Sequence, residues 1–297
     1  MLKLNSFVLC FLILSVGSFF NNVKYKIKKN KPKKISLASN SSLKGYGYWL
    51  NGRDMKVVNL NDLSKKGTTD IFLNFYSITL HGQKEVVSWI SKASQLNIRV
   101  HIWMQAFYRD GSWINPATTK LTSTILQEAK TYAAIKGVAG IHFDYLRYPG
   151  NAYQTSGGAE AINKFVQLAV AAIKNINSKC IISAALMPET SSNKYYYGQD
   201  YAAISKYLDV VVPMIYKGNY NSGTSWIKTT TEWYVNNSKG AAVWSGLQSY
   251  VSDNNAVALS ESALTADIQA AISGKAKGVI LFRYGLSKIL NFNSFKQ

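Results

Sequence analysis

The chain is poor in cysteine, histidine, proline and acid, with 2 Cys, 3 His, 5 Pro and 15 Asp plus Glu in 297 residues. Each shortage closes off a class of function. Cys10 lies in the leading apolar run and Cys180 opens a later apolar segment, so they build no disulfide framework, and Cys180 reads as a buried spectator. His81, His101 and His142 form no His-x-His or Glu-zincin pattern, so no metal site and no cofactor are expected. His101 and His142 fall on adjacent candidate strands at similar depth and read as buried, hydrogen-bonded histidines. A Gly-x-Ser-x-Gly elbow is missing, which disfavours a serine nucleophile. No glycine-rich dinucleotide loop or Walker pattern follows the first apolar segment. Zinc-finger spacing and a recognition-helix signature are also missing, so no specific nucleic-acid partner is expected.

The scarcity of acid makes the chain strongly basic, with 34 Lys plus Arg and a formal charge of +19. The excess is uneven. No acid precedes Asp54, whereas Lys3, Lys24, Lys26, Lys28, Lys29, Lys31, Lys33, Lys34, Lys44 and Arg53 do. Such a charge favours loose attraction to acidic polymers or anionic lipid without specifying a fold.

Residues 1–20 have the pattern of a signal peptide, with Lys3 ahead of an apolar stretch from Phe7 to Phe20. That stretch is short for a membrane span, and no Ala-x-Ala-like cleavage site follows it, so an uncleaved N-terminal anchor is the alternative. Residues 21–44 form a lysine-rich tether with little reason to fold. The expectation is a secreted or surface-tethered protein.

From residue 45 onward, short apolar runs alternate with helix-length amphipathic segments. Strands are predicted at 45–50, 70–75, 98–103, 140–146, 181–187, 209–216, 241–247 and 278–284. Helices are predicted at 84–95, 118–136, 158–175, 201–207, 225–236 and 260–273, with a shorter one at 60–66; their apolar positions recur at three and four. Eight strands with crossovers are the count for a (β/α)8 TIM barrel, here assigned to residues 45–297 as one catalytic domain. Pro213 is out of place in a central strand unless it marks the strand's upper end. A doubly wound sheet is the competing fold.

In a barrel, functional groups sit where the strands end. Asp144 lies near the end of the fourth predicted strand, in Gly140-Ile141-His142-Phe143-Asp144-Tyr145-Leu146-Arg147-Tyr148-Pro149. Glu189 follows the fifth. Glycosidic cleavage needs two carboxyl groups, one as nucleophile or base and one as acid; about 5 Å between them means retention and a wider gap inversion. Asp144 is therefore expected as nucleophile or base and Glu189 as general acid/base. Arg147 is expected to orient Asp144 and depress its pKa, and His142, of the same strand parity, to support it from below. Asp110 reads as a turn residue and Asp209, at the opposite end of its strand, as structural. Sugar rings stack on aromatic faces while polar neighbours take their hydroxyls. Tyr48, Trp103, Gln105, Tyr145, Arg147, Tyr148, Tyr216, Trp244, Gln248 and Tyr284 are the substrate-binding candidates on that ground.

The fourth-strand segment closely resembles the Gly-x-His-x-Asp-Tyr-x-Arg-Tyr-Pro motif of glycosidase-like TIM-barrel families found in bacterial surface and envelope proteins. Val212-Pro213-Met214-Ile215-Tyr216 is similar to the sixth-strand Met-x-Tyr segment of chitinase-like barrels. The resemblance implies a catalytic or substrate-binding acid at Asp144. An acid after strand five, here Glu189, would match the layout of amylase-like glycosidases. The Asp-x-x-Asp-x-Asp-x-Glu ladder of common chitinases is replaced, with Ala139, Ile141 and Phe143 in that region, which speaks against substrate-assisted chitin cleavage. The function expected is a glycoside hydrolase acting on a polysaccharide, such as a cell-wall or capsular glycan. Two alternatives are a non-catalytic surface barrel that binds glycan and a charge-driven binder of anionic polymers or lipid.

Overall fold

Eight parallel strands close on themselves in the computed structural model, which describes residues 41–296. They are Gly45–Leu50, Asp70–Asn74, Arg99–Gln105, Gly140–Asp144, Ile181–Leu186, Val210–Pro213, Ala242–Gln248 and Gly278–Phe282. Each pairs with its neighbours in sequence, and the first pairs with the eighth, giving a (β/α)8 barrel. The long helices Gln83–Gln95, Thr119–Ala133, Gly158–Ile176, Thr224–Asn237 and Glu261–Ser273 form the outer layer. Ser260 caps the last of them by accepting from the Ala263 N–H. The expected leader and the tether up to residue 40 lie outside the described residues. Among the described residues no helix is long and apolar enough to cross a membrane.

The strands are apolar on both faces because both are covered. Outward side chains such as Tyr48, Leu73, Ile102 and Phe143 pack under the helices, while Trp49, Phe72, Trp103, Val212, Trp244 and Ile280 fill the interior. Phe72 lies at the centre of the interior, stacked on His142 at 4.0 Å between centroids and edge-on to Trp49 at 5.5 Å. Such large rings need small neighbours. A Cβ on Gly246 would sit 2.9 Å from the Trp49 indole, and one on Gly140 only 2.1 Å from the His101 ring.

Polarity changes along the barrel axis. At the N-terminal end, fully buried Asp70 accepts from Arg99 Nε at 2.9 Å and Thr69 Oγ1 at 2.7 Å and faces His101 Nε2 at 2.8 Å. Asp209 at the same end binds Lys174 Nζ and the Ile182 N–H, both at 2.8 Å, which fits the structural role expected of it. Pro213 is the last residue of its strand, so its missing donor falls where the ladder ends. His101 and His142 are one layer apart rather than level, since His101 is in register with Gly140 and His142 with Trp103. Cys180 is buried and its thiol is pushed up to about 12, chiefly by desolvation.

Candidate active site

The C-terminal end of the barrel opens into a cavity of about 430 Å³. Its floor is made of interior residues at or near the C-terminal ends of their strands: Trp49, Asn74, Trp103, Asp144, Ala185 and Phe282. Its walls come from the loops beyond, with Tyr145, Arg147, Met187, Tyr216, Tyr220, Tyr250 and Asp253. This mixture of flat rings and a few polar groups suits an amphipathic ligand such as a sugar.

Asp144 is the last residue of the fourth strand, and its carboxyl is held at both oxygens. Trp103 Nε1 donates to Oδ2 at 3.0 Å, and the Tyr145 N–H donates to Oδ1 at 2.7 Å. The second bond is made by a tight local fold, since Tyr145 adopts φ 50°, a region that side chains other than glycine rarely occupy. Both donors favour the ionised form, as does the charge of Arg147. Desolvation outweighs all three, and the Asp144 pKa is raised. The expected depression by Arg147 is thus corrected: its charge acts downward but is the smallest of the contributions.

Arg147 is held by rings instead of by a carboxylate. Its guanidinium lies 4.8 Å from the Trp113 ring centroid, 5.3 Å from Tyr145 and 5.6 Å from Tyr197. Trp113 arrives on the hairpin Tyr108–Arg109 with Ser112–Trp113, which turns at Asp110 with φ 50°. Asp110 is thus the turn residue it was expected to be.

Glu189 follows the fifth strand behind the cavity wall. Its Oε1 accepts from Tyr220 Oη at 2.7 Å and from Tyr197 Oη at 2.9 Å, while Oε2 is buried without a hydrogen-bond partner. Tyr220 lines the cavity and Glu189 stands directly behind it. Burial first, then the charge and hydrogen bond of Glu189, push Tyr197 up to about 12.

Of the substrate-binding candidates, Trp103, Gln105, Tyr145, Arg147 and Tyr216 line the cavity. The others do not. Tyr48 faces outward, accepting from the Leu290 N–H at 3.0 Å and packing edge-on to Tyr284 at 6.0 Å, which takes both away from the cavity. Trp244 is buried lower in the barrel and donates to the Leu43 carbonyl. Tyr148 is buried behind the wall, its hydroxyl donating to Asn115. Gln248 is buried and donates to Asn219 at 3.0 Å, bracing the cavity from behind. His142 pairs through Nδ1 with Ser183 Oγ at 2.8 Å, below Asp144, and burial drives its pKa well down. That neutral ring contributes packing under the cavity floor.

Asp253 is a cavity carboxylate that the sequence did not single out. It follows strand Tyr250–Ser252 in an outlying hairpin, and accepts from Tyr250 Oη at 2.6 Å and Asn219 Nδ2 at 2.7 Å. Its only sequence signal is a turn-like Ser-Asp-Asn-Asn stretch, and it reaches the cavity through contacts with Asn219, far away in the chain. Trp49 and Phe282 were visible as aromatics at strand ends, but their inward parity was not. Among the described residues no three His, Cys, Asp or Glu side chains gather as a metal site.

Residues 85–243 match the model of a family described as "Putative glycosyl hydrolase domain", a span of more than half the chain. The chain belongs to this family. The span of this glycosyl hydrolase domain carries Asp144, Arg147 and Glu189 but not Asp253. A search of curated proteins found no match. Solved structures share the barrel. The spore cortex-lytic enzyme SleL of Bacillus megaterium QM B1551 is 16% identical with a TM-score of 0.61, covering 84% of this chain and 73% of that one. A chitinase from Chromobacterium violaceum is 13% identical with a TM-score of 0.63, over 83% and 96% of the two chains. A β-galactosidase from the psychrophilic Marinomonas ef1 is 10% identical with a TM-score of 0.61, over 81% and 54%. At such identities the likeness establishes the fold of the glycosyl hydrolase domain, and chemistry must be argued from the cavity.

Proposed function

We propose that the protein is a glycoside hydrolase that cleaves a polysaccharide, with Asp144 as nucleophile or base and Glu189 as general acid/base. The observation that carries this is the Asp144 carboxyl, oriented at both oxygens, desolvated, and set in an aromatic cavity at the barrel mouth. A poorly solvated carboxylate is a stronger base and nucleophile than one in water. In the retaining form, Asp144 attacks the anomeric carbon as the glycosidic C–O bond breaks. Glu189 gives its proton to the leaving oxygen, then takes one from water as water displaces Asp144. Tyr197 and Tyr220 hold Oε1 of Glu189 in a fixed orientation, and Oε2 accepts no hydrogen bond. Membership in a glycosyl hydrolase domain family and the shared barrel support the same class of chemistry. The leader read from the sequence supports an exported enzyme meeting a wall or capsular glycan.

The test is reducing-sugar release from a panel of wall and storage polysaccharides by the native protein, Asp144→Asn and Glu189→Gln. Product from D144N equal to that of the native protein refutes the role of Asp144. Loss of the acid should slow polysaccharide cleavage by about 10²–10⁴-fold. It should slow aryl glycosides with good leaving groups much less, because these need no protonation.

A second assignment of the acid is favoured by one observation: Asp253 lines the cavity itself, whereas Glu189 stands behind Tyr220. Asp253→Asn showing that leaving-group pattern, with E189Q near native, would transfer the acid role to Asp253.

A further inference from the structure

Three tyrosines on the same face of the barrel are spent on solvent. Tyr153, Tyr195 and Tyr196 are 50%, 56% and 45% exposed, and they form one cluster. The Tyr153 and Tyr195 rings stack at 4.7 Å with planes 4° apart, and Tyr196 meets Tyr195 edge-on at 5.0 Å. Exposed aromatic groups of this size are a cost in solubility unless something binds them. The cluster is built from two segments, the 3-10 turn Ala152–Gln154 after strand four and helix Asn193–Tyr197 after strand five. These are the loops that leave Asp144 and Glu189.

The cluster runs into the candidate active site. Tyr196 lies 6.3 Å from Tyr197 between ring centroids. Tyr197 turns inward, with its hydroxyl on Glu189 and its ring against Arg147, which lines the cavity. Beside the cluster is a shallow depression lined by Tyr153, Tyr195, Thr155, Ser191, Glu160 and Lys194. The Lys194 ammonium is occupied by Asp200 at 2.8 Å. Gln154 Nε2 reaches the Tyr153 hydroxyl at 3.4 Å. Hydroxyl-bearing rings with short polar neighbours and no large aliphatic side chain match the two faces of a sugar, C–H on one side and hydroxyl at the edge.

We propose that Tyr153, Tyr195 and Tyr196 form a distal glycan platform that holds a polysaccharide outside the cavity while one of its linkages occupies the site at Asp144. This rests on the reading of the cavity as a glycan site. The platform adds contacts only for chains long enough to reach it, so it distinguishes polymer from short oligosaccharide.

The test compares the native protein with the double variant Tyr153→Ala, Tyr195→Ala. Mobility is measured in native gels containing purified peptidoglycan strands, glycol chitin or a soluble β-glucan. At least one polymer should retard the native protein, and the double variant should bind it about tenfold more weakly, the loss expected from removing two ring contacts. Hydrolysis of a trisaccharide from the same polymer should be unchanged, as should the thermal melt, because both side chains are exposed. The variant Tyr153→Phe, Tyr195→Phe keeps the rings and should keep most of the retardation. Equal retardation of native and alanine proteins overturns the platform, as does a native protein retarded by none of the polymers or a phenylalanine variant as weak as alanine. Retardation lost in the alanine variant while D144N still hydrolyses would leave the platform standing and remove the catalytic role of Asp144.

Discussion

Asp70 and Asp144 are two carboxyls pointing into the same barrel from opposite ends, and their surroundings push them in opposite directions. Burial raises both. At Asp70 the hydrogen bond and charge of His101, with those of Arg99, overcome burial and the pKa is lowered. At Asp144 burial wins over the Tyr145 N–H, the Trp103 indole and the more distant Arg147 charge, and the pKa is raised. The difference lies in the partners. Asp70 has the Arg99 guanidinium and the His101 ring in direct contact, whereas Asp144 has neutral donors and a guanidinium held among rings. One end of the barrel uses its acid to hold strands together; the other keeps an acid incompletely compensated and open to a cavity.

The sharpest way to break that contrast is to remove each charge. Asp144→Asn should lower kcat/KM on a cleaved polysaccharide by on the order of 10⁴-fold. It should leave the fold as stable as before or more stable at neutral pH. The sign follows from linkage: a raised folded pKa penalises the native state once pH rises through it, and the amide removes that penalty. A clear fall in melting temperature for D144N would contradict the assignment.

Asp70→Asn should do the reverse, costing about 3 kcal/mol of stability because it leaves fully buried His101 and half-buried Arg99 without their carboxylate. The Asp70 contribution is present above the ordinary carboxylate range and is lost as pH falls through its depressed value. Urea unfolding of both proteins should therefore differ most at neutral pH and converge in acid. Curves that stay parallel at all pH values would show that Asp70 carries no charge-dependent stability.

Trp103→Phe sharpens the comparison from the other side. It deletes a donor that favours ionised Asp144, so the acid limb of kcat/KM should move to higher pH. An unmoved limb would mean that Asp144 does not control it. The smallest effect expected is that of Tyr220→Phe. Tyr197 still holds Glu189 Oε1, so kcat/KM should fall by less than about tenfold, the equivalent of one hydrogen bond. A loss as large as that of E189Q would give Tyr220 a more direct part.

The strands and major helices were legible because their signal is local: apolar runs of strand length separated by three-and-four spacing. Asp144 was legible for the same reason, as an acid ending an apolar run. Side-chain direction was not. In a strand covered on both faces, Tyr48 and Trp49 are equally apolar, and nothing in the alternation shows that the tryptophan enters the cavity while the tyrosine leaves it. Trp244 faces inward yet lies too deep, because depth depends on the stagger between strands. Asp253 was hidden because its position depends on Asn219 in another loop. The partnership of Arg147 with rings was hidden because Trp113 and Tyr197 come from separate hairpin and helix segments.

The fourth strand compresses these relations into three inward-facing letters. Gly140 leaves room for the His101 ring, which clamps Asp70 at the base; His142 stacks on Phe72 at mid-height; Asp144 meets the cavity. Two of the three spell architecture, and the third is the acid proposed to carry the chemistry. Under the role proposed for Asp144, a descendant that kept the glycine and histidine but exchanged the acid would inherit the barrel and its aromatic mouth without hydrolase activity. That makes the third letter the position at which such a lineage would test the proposal.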